Sequence, residues 1–224
     1  FADEMLNKQI IQGSLSSLDQ IFCETKYVVT GTILLASRFS AESIYFLLDK
    51  AKTYSIKIVI DLNWREVFWD NSIFTKQFSR EEQISQIKKF LHYADILKLS
   101  KEEAYLFFKN YDPYQISQSL PNAPDVIITD AGDSISWIIN GITGKSEVVN
   151  SGLNIIDTTG AGDAFLAGLI SQLIHNSDSV QKMKLENCVK FASICGLLTC
   201  LGEGAIEPQP EISKVYSYLD SLSL

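Results

Sequence analysis

The stretch Asp157–Phe165, DTTGAGDAF, sets two glycines around one small residue just before an apolar run, with a carboxylate at Asp163. The backbone N–H groups of Gly160, Ala161, Gly162 and Asp163 fall in the first turn of the helix that this apolar run predicts, where no intrahelical acceptor reaches them. With the helix dipole behind them they form an anion site that needs no lysine. A carboxylate placed there repels the anion, so its presence calls for a reason. The plain reading makes Asp163 a helix-start residue in a turn where glycines are common.

Two further stretches carry residues able to do chemistry. In DLNWREVFW, Asp61, Asn63 and Arg65 alternate at the end of an apolar run; a carboxylate, an amide and a guanidinium can take hydroxyl or phosphate oxygens, or close a surface turn through a salt bridge. In KLSKEEAYLF, Ser100 and Glu103 have the spacing of a capping box. The two histidines, His92 and His175, lie in helical patterns away from all three stretches, and histidine chemistry is set aside.

Short apolar runs and helical patterns alternate around these stretches. KYVVTGTIL and IKIVIDLN predict buried strands, separated by a helix over SAESIYFLLDKAKTY. REEQISQIKKFLHYA predicts a helix, DILKLS a strand and KEEAYLFFKN a helix. YDPYQISQSLPNAP reads as a loop; DVIITDAG, SISWIING and SEVVN read as a strand running into a hairpin. Helices dominate from there, and DAFLAGLISQLI places Phe165, Leu166, Leu169, Ile170 and Leu173 on one face. No repeat or low-complexity linker interrupts the chain, which predicts one α/β domain over residues 1–224 with a mainly parallel sheet.

Composition excludes several classes. At 224 residues, with 46% hydrophobic content, the chain is neither disordered nor short of core. A net charge of −8 argues against a nucleic-acid partner, whose phosphates call for clustered Lys and Arg. The charge-free stretches are too short for a membrane span, no signal sequence opens the chain, and a cytoplasmic protein is expected. Cys23, Cys188, Cys195 and Cys200 lack CxxC spacing, and with three of them in one apolar helical run core packing is expected rather than a metal or disulfide, in a reducing compartment. The opening FADEMLNKQII reads as the middle of something, with a segment upstream of Phe1.

Phosphate-binding templates can be tested by spacing. GITGKS ends like a P-loop, but the first glycine would fall at Ile139 and the segment precedes a strand rather than a helix. In GAGDAF the third glycine of a dinucleotide fingerprint would fall at Phe165, which removes a nicotinamide enzyme.

The nine-residue string resembles the C-terminal signature of the PfkB, or ribokinase-like, family of carbohydrate kinases, from about Tyr27 to the end of the chain. The resemblance implies a ribokinase-like three-layer α/β/α fold and ATP-dependent phosphorylation of a sugar hydroxyl. It makes Gly160, Ala161 and Gly162 the anion hole and Asp163 the base. DLNWREVFW resembles the D-x-N-x-R motif of the fructokinase branch, which implies sugar-side roles for Arg65, Asn63 and Asp61. KLSKEEAYLF resembles the N-x-x-E element, with Ser100 in place of asparagine and Glu103 organising Mg²⁺ through water; that role and the capping box are compatible.

VIITDAGDSISW resembles the nucleotide turn, although Ala131 and Ser134 stand at glycine positions and Gly132 comes one place late. KFASICGLLTC resembles the adenine-side helix, with Ser193 where asparagine is common. Lys98, Thr129, Gly132 and Ser193 are thereby expected on the nucleotide side. Asp157, Thr159 and Gly204 match positions of a monovalent cation, K⁺, with a plain turn role as the other reading. The expected ligands are ATP, Mg²⁺ and a sugar, fructose first. The resemblance also implies a lid upstream of Phe1, absent from this chain, through which a homodimer could form; the 224 residues alone are expected to show no more than trace turnover. The departures at Ala131, Ser134 and Ser193 keep a second function open, a kinase-like protein that binds a ligand or partner without catalysis.

Overall fold

Apolar runs without polar alternation become the central strands, because only a strand covered on both faces can bury every side chain. The structure is a computed structural model that describes residues 18–71, 78–148, 152–175 and 181–222; the opening segment and Val149–Asn150 lie outside them. Strand β2 (Lys57–Asp61) buries Ile58, Val59 and Ile60 completely. β1 (Tyr27–Gly31) and β3 (Ile96–Ser100) run parallel to it, with Gly31 opposite Asp61 and Asp61 opposite Lys98. β4 (Asp125–Asp130), β5 (Ser134–Ile139) and β6 (Ile142–Glu147) complete a mixed six-stranded sheet whose order follows the chain. The α/β class is the expected one.

The chain groups into two compact units, Phe1–Ile128 and Thr129–Leu224. In the first, helix α1 (residues 18–24) is tied to α2 (Arg38–Thr53) by Asp19, which accepts from the Tyr54 hydroxyl at 2.6 Å and pairs with Lys50. α2 buries Ile44, Leu48 and Ala51, four and three residues apart, as one amphipathic stripe. A 3₁₀ helix, Thr32–Ala36, follows β1, and the Thr32 hydroxyl donates to the Leu62 carbonyl, joining the carboxyl ends of β1 and β2. α3 (Glu66–Asn71) and α4 (Arg80–Leu91) come next, α4 starting from a Ser79–Glu82 capping box. α5 (Lys101–Phe108) leaves β3 directly.

The stretch read as a loop after α5 holds a further helix, α6 (Pro113–Gln118). Asp112 accepts from the Tyr114 N–H at 2.9 Å and Pro113 fills the first helical position, so the turn is nucleated locally despite its six residues.

The second unit opens with the β5–β6 hairpin, and here too the structure differs from the sequence reading. Asn140 and Gly141, with φ of 51° and 75°, form a two-residue turn that pairs Ile139 with Ile142. GITGKS therefore lies within the hairpin rather than ahead of it. Its Gly144 sits opposite Trp137, and a Cβ there would meet the indole at 2.1 Å. Helices α7 (Ala161–His175), α8 (Lys182–Thr199) and α9 (Ile212–Ser221) follow, with Phe191, Ile194, Leu198 and Val215 in a shared core. α7 and α8 approach closely through small residues: a Cβ on Gly168 would meet the Cys195 sulfur at 2.8 Å. Cys188, Cys195 and Cys200 are buried, as expected, and burial pushes the Cys195 thiol up to about 11. Among the described residues no helix is long and apolar enough to cross a membrane.

The wholly buried Trp137 leaves no room over Gly144. Gly144→Ala is expected to destabilise the chain by about 1–3 kcal/mol, the usual cost of overpacking. Urea unfolding checks this, and a parental midpoint would contradict it.

Candidate active site

The first unit carries a polar cavity of about 290 Å³ beyond the ends of β2 and β3, lined by Asp61, Asn63, Trp64, Arg65, Lys98 and Glu103, with Ser100, Glu102 and Leu106. Crevices at the carboxyl ends of parallel strands are the usual ligand sites of open α/β sheets. The register explains the grouping. Asp61 and Lys98 are direct partners on β2 and β3, so both side chains leave the sheet at the same level. Lys98 Nζ lies 3.1 and 2.9 Å from the two Asp61 carboxylate oxygens, and both residues are buried. Neither charge would be tolerated there without the other.

Glu103 is held from two sides. One carboxylate oxygen accepts the Ser100 N–H at 2.7 Å and closes the α5 capping box; the other accepts the Trp64 N–H at 2.6 Å. Burial pushes its carboxyl above the ordinary range, opposed by these two backbone donors; the Asp61 charge adds to the rise and Lys98 counters it. Asn63, in the turn so clamped, has φ of 40°, a conformation that asparagine tolerates better than most residues. Trp64 packs on Trp69 at a 5.3 Å centroid distance and edge-on against Phe107 at 5.7 Å. Arg65 is exposed, and among the described residues no ion pair holds its guanidinium; the neighbouring Glu66 pairs with Arg80 instead.

The second unit holds the glycine turn. Asp157 organises it: one oxygen accepts the Thr159 N–H at 2.9 Å and the Thr159 hydroxyl at 2.7 Å, while the other accepts the Gly204 N–H at 2.9 Å. These donors, the Thr159 hydroxyl foremost, hold the Asp157 carboxyl below its ordinary range. The N–H groups of Ile156 and Asp157 both reach the Cys200 carbonyl at the end of α8. Gly160 has φ of 80°, and a Cβ there would lie 2.8 Å from the Ala205 backbone, so only glycine fits. A Cβ on Gly196 would lie 2.9 Å from the Ala161 carbonyl oxygen, so the first turn of α7 rests on α8.

The Gly160 carbonyl accepts the Ala164 N–H at 2.9 Å, which makes Gly160 the N-cap and Asp163 the third helical residue. The Ala161 N–H turns back to the Thr158 carbonyl at 3.2 Å. Among the described residues the N–H groups of Gly160, Gly162 and Asp163 have no acceptor, and the exposed Asp163 carboxylate makes no hydrogen bond. Asp163 therefore forms no capping bond.

The structure thus brings Asp61, Asn63, Arg65, Lys98 and Glu103 to one cavity, and Asp157, Thr159, Gly160, Ala161, Gly162, Asp163 and Gly204 to one turn. Lys98, expected on the nucleotide side, lines the same cavity as Arg65. Thr129 is the penultimate residue of β4, Gly132 is exposed in the turn after it and Ser193 is buried in α8. Ala131, at a glycine position of the expected nucleotide turn, has φ of 39° and so takes the left-handed backbone that glycine favours. Sequence reading missed the Asp61–Lys98 pair and the Trp64 wall. Each partner sits two residues before its turn residue, Asn63 or Ser100, but the two meet only through the strand register. For metals, the described residues hold no cluster of three or more His, Cys, Asp or Glu suited to an ion.

Comparison with known proteins gives one family and one fold. The family described as pfkB family carbohydrate kinase matches residues 3–212. Probable fructokinase-6, chloroplastic, of Arabidopsis thaliana is 31% identical over 174 residues, 75% of this chain and 43% of that protein. Fructokinase-1 of Oryza sativa subsp. japonica is 28% identical over 179 residues, 78% of this chain and 52% of that protein. The chain spans about half the length of these curated relatives. Fructokinase of Xylella fastidiosa, solved with bound ATP, superposes with a TM-score of 0.77 at 23% identity, covering 92% of this chain and 65% of its own. Fructokinase of Vibrio cholerae O395 in its fructose, ADP and calcium ion bound form gives 0.71 at 24% identity, covering 87% and 61%.

The Asp157 latch makes a pH prediction. Because folding lowers its pKa, the carboxylate stays ionised and bonded above the ordinary value of 3.8, and the stability it contributes is lost as pH falls through the lowered value. The Thr159 and Gly204 amide resonances are expected to titrate with a midpoint below 3.8. A midpoint at or above it would contradict the latch.

Proposed function

The chain belongs to the pfkB family of carbohydrate kinases, and from that premise we propose that it transfers the terminal phosphoryl group of ATP to a hydroxyl of a fructose-like sugar. The observation that carries this reading is the start of α7, where an exposed carboxylate without a hydrogen bond, Asp163, follows N–H groups without acceptors at Gly160 and Gly162. A cap would spend that carboxylate on the helix. A base leaves it open.

In the proposed reaction the sugar hydroxyl oxygen bonds to the terminal phosphorus as the bond from that phosphorus to the bridging oxygen breaks. The proton passes to Asp163, and ADP leaves with the electron pair. The Gly160 and Gly162 N–H groups take the charge that builds on the phosphoryl oxygens, with Ala161 contributing through the helix dipole. Arg65 and Asn63 bind the sugar, and Asp61, fixed by Lys98, shapes the cavity. Thr129, Gly132 and Ser193 serve the nucleotide, and the glycine-like backbone at Ala131 supports a turn of the expected form despite its methyl group.

Mg²⁺ supplies charge neutralisation between the phosphates, and Glu103 would hold it through water. Each Glu103 oxygen accepts one backbone N–H and so retains capacity for a water. Asp157, Thr159 and the Gly204 loop would seat K⁺ beside the turn. Asp157 already receives three donors there, so backbone carbonyls would have to supply most of the ligands.

In the full-length protein, Asp163→Asn keeps the side-chain shape and removes only the proton acceptor. It is expected to melt at the parental temperature, bind ATP–Mg²⁺ at least as tightly, and lose kcat by at least about 100-fold, the lower figure for a positioned base, or about 3 kcal/mol of barrier. Coupled ADP release on a sugar panel, with ATP titration calorimetry, measures both; near-parental kcat would favour the binding-only reading. Arg65→Lys loses the planar fork. It is expected to raise KM for sugar far more than for ATP, and equal effects would remove Arg65 from the sugar pocket.

A further inference from the structure

We infer that Glu103 is a positioning residue for Arg65, acting through the Trp64 amide; this deepens the kinase reading and rests on it. A capping box needs one carboxylate oxygen, and Glu103 uses one on Ser100. Its second oxygen leaves its own helix and takes the Trp64 N–H at 2.6 Å in the turn after β2. The Leu62 N–H, at the start of that turn, bonds to the Lys98 carbonyl at 2.9 Å. Both ends of the turn around Asn63 are thus pinned to the β3–α5 segment.

Arg65 is the next residue. No ion pair among the described residues aims its guanidinium, so the backbone at Trp64 sets the direction in which the side chain leaves. The Ser79–Glu82 box of α4 supplies the contrast, because among the described residues the Glu82 carboxylate there bonds at its own cap, to the Ser79 N–H. The geometry requires a carboxylate at residue 103. A glutamine has one acceptor oxygen for two N–H donors and turns an NH₂ group against the other.

The test compares Glu103→Gln, Glu82→Gln and Arg65→Lys in the whole chain, with fructose, ATP and Mg²⁺ varied separately. Glu103→Gln is expected to raise KM for fructose about 10- to 100-fold at saturating Mg²⁺, the scale of a small misplacement at a reacting site, apart from any rise in half-saturation by Mg²⁺ that its water-mediated role brings. Glu82→Gln should leave both unchanged. The Glu103→Gln/Arg65→Lys double variant should be no worse for fructose than Arg65→Lys alone, because both changes remove one interaction. A parental fructose KM in Glu103→Gln, a shift confined to Mg²⁺, or additive effects would overturn the inference.

Should Glu103→Gln fail to fold, the parent carries the test. Fructose should move the Trp64 and Arg65 amide resonances at saturating Mg²⁺; their indifference to fructose would overturn it. A full-length parent that phosphorylates no sugar defeats the kinase reading before any variant is compared. If its Trp64 amide is also indifferent to fructose, the inference falls with it.

Discussion

Backbone N–H groups at the start of a helix have no partner within it, and the rest of this structure depends on how those groups are supplied. At the start of α5 the supplier is Glu103, which takes a second N–H from the neighbouring turn as well. In the turn before α7 it is Asp157, which ties that turn to the loop after α8. In both cases a short, charge-assisted bond joins segments distant in sequence, and such bonds are stronger than neutral ones. At the first turn of α7 the supply stops, and among the described residues the N–H groups of Gly160, Gly162 and Asp163 have no acceptor. Function is assigned to that deficit.

Close packing holds the deficit in place. Gly160 lies against Ala205, Gly196 lies under the Ala161 carbonyl, and Gly168 admits the Cys195 sulfur. The turn therefore packs directly on α8 and the loop after it, with no room for side chains at these contacts. The cavity of the first unit follows a similar rule with side chains: Asp61 and Lys98 neutralise each other below its floor, and Arg65 is left exposed.

The parts legible in the sequence were those with a short-range cause. The strand at Ile58–Ile60 read as an unbroken apolar run, DILKLS as a short strand between two helical patterns, and the capping box at Ser100 and Glu103 from its spacing. The β6 start was misread because the Asn140–Gly141 signal was passed over for the more apolar SEVVN, although left-handed φ at both residues makes that pair a hairpin turn. Helix α6 escaped because six residues are too few for a period to show, while its cause, an Asp112 cap ahead of Pro113, is a matter of single residues. The Asp61–Lys98 pair and the reach of Glu103 to Trp64 depend on strand register, which becomes visible only once β2 and β3 are paired. The glycine turn was legible as a motif, but not the return of the Ala161 N–H to Thr158, which leaves three free donors where the motif suggested four.

The most direct test is a crystal structure of the protein with a non-hydrolysable ATP analogue, Mg²⁺ and fructose. The terminal phosphoryl oxygens are expected to accept the Gly160 and Gly162 N–H groups at about 2.7–3.2 Å, with one fructose hydroxyl within about 2.6–3.2 Å of the Asp163 carboxylate. A terminal phosphate bound away from those amides, or a sugar with no hydroxyl within reach of Asp163, would contradict the assignment.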